Sequence, residues 1–139
     1  MSDQVVRLVS FGVLLLHGLG HGGALGAMAW IALRPGSDTG AWTAARSWLR
    51  PSAAPETATL AASAFWIVSL IGFVIAALTF WFGWGDAWRA IAIGSAVVSC
   101  VGIVLFFGTW PMFNTVAALA VNAAVLVGLL LLRWAPPAA

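Results

Sequence analysis

The sequence predicts an all-α fold: a single domain, residues 1–139, built as an integral membrane four-helix bundle. Two observations carry this expectation. The chain is 63% apolar and only 7% charged, whereas soluble domains hold about a quarter of their residues as charged side chains. The apolar residues also gather into four long stretches, at about 5–33, 57–82, 87–109 and 114–134. Each reaches the roughly 20 residues needed to cross a hydrocarbon core of about 30 Å. Six arginines and four acids, with no lysine, cannot cover a water-facing surface. No basic run or stripe is present, so nucleic-acid binding has no support.

The first stretch ends at Arg34-Pro35-Gly36-Ser37-Asp38, where a charge and helix breakers coincide. Its length implies tilt or a protruding end. A small-x-small site at Ala27-Met28-Ala29 is the feature a cleaved signal peptide would need. The weakly basic start, with Asp3 beside Arg7, and the interruption by His17 and His21 favour a retained span. Between the first two spans, Gly40 to Leu49 is either a short interfacial helix, with Trp42, Ala45 and Leu49 on one side, or a plain polar loop.

Pro55 and Glu56 suit the first turn of the second span, one by its fixed φ and one by its charge at the positive helix end. Gly83-Trp84-Gly85-Asp86 reads as a tight turn with Asp86 as the next N-cap. Trp110-Pro111 closes the third span. Arg133 stands at the negative end of the fourth, and Pro136-Pro137 prevents continuation. Trp30, Trp81, Trp84, Trp88, Trp110 and Trp134 fall near span ends, as an aromatic belt would. Trp66 lies deeper, as a packing residue. Arg7, Arg89 and Arg133 share the side of the termini, and Arg34, Arg46 and Arg50 share the other. This tie leaves the orientation open under the positive-inside rule.

Helices in lipid associate by close packing of small residues. Three faces offer it: Gly18, Gly22 and Gly26; Ser95 and Ser99 beside Gly94 and Gly102; and Ala120, Ala124 and Gly128. Packing within the chain is favoured, and a homodimer would use the same faces.

The chemistry-bearing residues are few. His17 and His21, four apart, share one helix face near the middle of the first span. Intramembrane polar groups are costly and point to function. Ser69, Ser99, Cys100 and Asn122 lie at similar depth, so His17, His21, Ser99, Cys100 and Asn122 form a candidate polar or ligand-binding layer. The i,i+4 histidine spacing is that of two metal ligands. No carboxylate lies in a span core, however, and a closed four-ligand zinc site is not available from one chain. Bonds from each histidine to a neighbouring helix, to Ser99 or Asn122, are the plain structural alternative. Neither a nucleophile–His–acid set nor a phosphate-binding loop is present, and no particular cofactor is specified.

His17-Gly18-Leu19-Gly20-His21 resembles the HGxxH opening of small bacterial four-helix membrane proteins, with Ser99, Trp110 and Asn122 in comparable places. A more distant likeness is to DoxX-type four-helix proteins. Pro111-Met112-Phe113 departs from the first pattern. The resemblance implies a bundle in a bacterial cytoplasmic membrane and implies no reaction. The residues are thus consistent with two roles. One is an accessory subunit of a larger membrane assembly, in contact with lipid and a protein partner. The other is a redox-linked or small-ligand protein that uses the histidine pair for a metal, haem, quinone or lipid.

Overall fold

A computed structural model describes residues 2–34 and 43–135. It contains α1 (Asp3–Leu33), α2 (Pro55–Phe82), α3 (Ala87–Leu105) and α4 (Met112–Leu126). The last continues as a π-helical turn, Val127–Leu131. All four are long and apolar enough to cross a membrane. The protein is therefore a multi-pass membrane protein. The helices pack in chain order, α1 on α2, α2 on α3 and α3 on α4, while α1 meets α4 only briefly.

Local chemistry sets the helix ends. Ser2 accepts from the Val5 amide at 3.4 Å, and Asp3 sits in the first turn of α1, where its charge complements the helix dipole. Pro55 opens α2, and Gly83 closes it at φ +67°, a left-handed conformation open to glycine without strain. Asp86 makes no capping bond, contrary to expectation. Its backbone is helical, and its carbonyl accepts from the Arg89 amide instead.

Two ends differ from the sequence reading. α3 stops at Leu105, four residues before the expected end at 109, and the chain reverses through Gly108 at φ +89°. The last carbonyls of a helix need partners from elsewhere. Here the inter-span connection supplies one: Trp48 Nε1 donates to the Val104 carbonyl at 2.6 Å. Thr43 holds the following turn, its amide donating to the Thr109 carbonyl and its hydroxyl to that of Gly108. Residues 43–54 consequently run without helix, so the interfacial helix does not form there. Gly40 to Trp42 lie outside the described residues. The second difference is at the end of α4. Arg89 of α3 also serves this end, donating to the Trp134 carbonyl at 2.7 Å and the Leu129 carbonyl at 3.2 Å. Arg89→Leu is expected to raise amide hydrogen exchange over residues 129–134 by roughly tenfold, a loss of about 1–2 kcal/mol for charged hydrogen bonds, while leaving α1 unchanged.

Small residues create close approach at fewer places than their spacing suggests. A Cβ on Gly18 would lie 3.0 Å from Phe73 Cβ, and Gly22 has only ordinary contact with Leu70. Gly26 and Gly94 face open space. Ala120 and Ala124 are exposed and Gly128 is unobstructed, so the α4 small-residue face points out of the bundle. The tightest approaches are both between α2 and α3, at Gly102 against Phe65 and Trp66, and at Gly72 against Ser95. The aromatic belt is likewise reduced. Trp30, Trp81 and Trp84 are exposed, but Trp88 and Trp110 are buried in the core. Trp66 is fully buried, as its depth suggested.

Candidate functional site

The apolar core is divided in two. One part joins Ala24, Met28, Ala62, Trp66, Ile103 and Ala118. The other joins Leu14, Phe73, Ala76, Ala92, Ala96 and Leu129. Between them every helix contributes polar side chains: His17 and His21 from α1, Ser69 from α2, Ser99 from α3 and Asn122 from α4. His21, Ser69, Ser99 and Asn122 are all buried.

Burial forces these groups to find partners, because unpaired polar atoms in an apolar medium are costly. His17 Nε2 lies 2.8 Å from Asn122 Oδ1. Asn122 Nδ2 donates to Ser99 Oγ at 2.8 Å. Ser99 Oγ lies 3.0 Å from His21 Nε2. The four side chains thus form one chain, His17–Asn122–Ser99–His21, linking α1, α4 and α3. Asn122 Oδ1 can only accept, so His17 Nε2–H donates to it. The Ser99–His21 bond runs either way with the tautomer of His21; with the Ser99 hydroxyl donating to His21 Nε2, His21 Nδ1 carries the remaining hydrogen. That Nδ1 has no hydrogen-bond partner among the described residues, and neither do Ser69 Oγ and Trp66 Nε1.

Rings pack round the chain. His17 and His21 meet edge to face with centroids 5.2 Å apart. His21 packs against a pair of indoles 4.7 Å apart, stacked on Trp66 at 5.8 Å and tilted to Trp110 at 5.3 Å. Phe73 contacts both histidines. These contacts hold the imidazoles in fixed orientations, a requirement of any precise site.

A cleft of about 180 Å³ reaches this layer from the side, between α1 and α4. His17, Gly20 and His21 line one wall, and Trp110, Asn114 and Val121 the other. A Cβ on Gly20 would meet nothing within 4 Å. Gly20 thus helps keep the cleft open, where a larger side chain would close it.

Of the residues singled out from sequence, His17, His21, Ser99 and Asn122 come together in one hydrogen-bonded chain. Cys100 is partly buried beside Asn122 and does not join the histidine pair. Among the described residues, no three His, Cys, Asp or Glu side chains converge. A metal here would have two side-chain ligands, fewer than the three or four of catalytic and structural zinc sites. Trp66, Trp110 and Asn114 were not anticipated as site residues. The depth of Trp66 was the one available signal, since Trp110 resembles an interface tryptophan in sequence. Comparison of the chain with family models, with curated proteins and with solved structures finds no match.

Proposed function

We propose that the protein binds a small ligand within the membrane, held at the polar layer by His17 and His21 and reached sideways from the lipid. One observation carries this reading: both histidines line an open cleft, and the buried one keeps a ring nitrogen that has no hydrogen-bond partner among the described residues. A histidine serving only to tie helices together would be expected to satisfy that nitrogen within the bundle. Pockets with a few converging polar groups on apolar walls are the usual form of a ligand site. The likeness of α1 to the HGxxH proteins supports a bacterial cytoplasmic membrane as the setting of this reading.

The test is small-molecule, metal and absorption analysis of the gently solubilised protein, beside two variants. His17→Ala/His21→Ala removes the polar wall. Gly20→Leu fills the cleft and leaves every hydrogen bond of the chain in place. A near-stoichiometric ligand in the parent, reduced at least tenfold in both variants, is the expected result. Equal content in all three proteins, or a bare parent, would contradict the reading.

The role of accessory subunit draws on a different observation, the outward-facing Ala120 and Ala124 on α4, which offer a partner helix close approach. It predicts co-purification of a second membrane protein that Ala120→Leu/Ala124→Leu abolishes. Recovery of the chain alone from native membranes would count against it.

A further inference from the structure

Resting on the ligand-binding reading above, we infer that the ligand is an uncharged, flat-headed lipid with a single apolar tail, the chemistry of a prenyl quinone and its quinol. Four features of the α1–α4 seam select this class.

The first is charge. Among the described residues, no Asp, Glu, Lys or Arg lines the cleft, so an ionised phosphate or carboxylate head would be buried without a counter-charge. The second is depth. The histidines lie between the two apolar cores, within the length of the spanning helices, so the head must itself tolerate the hydrocarbon region. The third is shape. Four of the side chains lining the cleft are rings, His17, His21, Trp110 and Phe113, and ring faces favour a flat head through stacked or edge contacts.

The fourth is a tail path. A second, separate cleft of about 240 Å³ lies further along the same seam, lined by Val9, Val13, Ala124, Val125 and Gly128 among others. On α1, Val13 is one turn from His17; on α4, Ala124 is one turn from Val121, so the two clefts occupy successive turns of the same helix pair. From Val9 to His21 the seam extends about 18 Å at 1.5 Å per residue. Its second half is almost wholly apolar, and no charged side chain lines it.

The hydrogen-bonded chain suits both oxidation states of such a head. As described, His21 Nδ1–H is a donor sealed from the surface; a turn of the imidazole edge toward the cleft matches it to a quinone carbonyl. Turning over the Asn122 amide reverses the chain. Asn122 Nδ2 then donates to His17, Ser99 donates to Asn122 Oδ1, and His21 Nε2–H donates to Ser99. His21 Nδ1 becomes an acceptor, matched to a quinol hydroxyl. The number of bonds in the chain is unchanged. No electron transfer is part of this inference.

The test uses the full chain in nanodiscs, titrated with a ubiquinone bearing a ten-carbon tail and with its tail-less head. Quenching of tryptophan fluorescence is the readout, and the Trp110→Phe variant identifies the signal from the cleft. At equal bilayer concentration, saturable binding is expected, at least fivefold tighter for the tailed probe. His21→Leu should weaken both probes at least tenfold. Ala124→Trp should remove the tail advantage and leave the tail-less head unaffected. Linear quenching without saturation, or a tail advantage that survives Ala124→Trp, overturns the inference. If the parent retains a ligand that His17→Ala/His21→Ala loses, yet neither quinone saturates, the binding function stands and the quinone assignment falls. A bare parent removes both.

Discussion

Replacing Gly102 with leucine is expected to force α3 away from α2. The new Cβ would lie 2.7 Å from Phe65 Cβ and 2.9 Å from Trp66 Cζ3. Phe65 Cβ is fixed to the α2 backbone and cannot swing aside as the tip of a long side chain would. Overpacking of a well-filled core costs typically 1–3 kcal/mol. Here the intruding group also displaces Trp66, which stacks on His21. A loss of about 3 kcal/mol is expected in reversible unfolding in mixed micelles. Gly94→Leu, eight residues earlier and facing open space, is the matched control and should change stability by less than about 0.5 kcal/mol, as surface substitutions usually do.

The second large effect is expected from Asn122→Leu. Leucine matches the heavy-atom number and branching of asparagine and is somewhat bulkier, so no cavity forms. What is lost is the bond to His17 and the bond to Ser99. Interhelical polar bonds in membrane proteins average about 0.6 kcal/mol and reach about 1.7. Leaving a buried partner unsatisfied costs more, about 1–3 kcal/mol. His17 is only partly buried and can turn toward the cleft, whereas Ser99 is sealed and keeps His21 as its partner. A total near 2 kcal/mol is therefore expected, again by reversible unfolding. Ser99→Ala should cost less, since it removes a smaller group. The double variant Asn122→Leu/Ser99→Ala should fall short of the sum of the two, because both belong to one network.

The bundle was legible because its causes are local. Apolar length, Pro55 and Glu56 at a helix start, and Gly83 at a helix end act through neighbouring residues alone. The histidine spacing likewise placed both rings on one helix face. What escaped was decided between helices. Gly102 and Gly72 become points of closest approach because Phe65, Trp66 and Ser95 stand opposite them, and no spacing rule contains that information. Ala120, Ala124 and Gly128 keep the same spacing yet face outward, because Asn122 and Ala118 take the inner face of α4. Trp88 and Trp110 resemble interface tryptophans by position along the chain. Their burial follows from α3 ending at Leu105 and from the rotation of each helix about its axis. The role of Arg89 at the end of α4 was hidden for the same reason, since the carbonyls it serves are 40 and 45 residues away.

His17, Asn122, Ser99 and His21 act as one connected chain rather than as two separate pairs. Nitrogen-15 NMR of histidine-labelled protein in nanodiscs, parent against Asn122→Leu, tests it most directly. Asn122 bonds to Ser99, whose hydroxyl oxygen meets His21 at Nε2, so a connected chain moves the Nε2 resonance of His21 along with the ring resonances of His17. A shift confined to His17, with His21 unchanged, would contradict it.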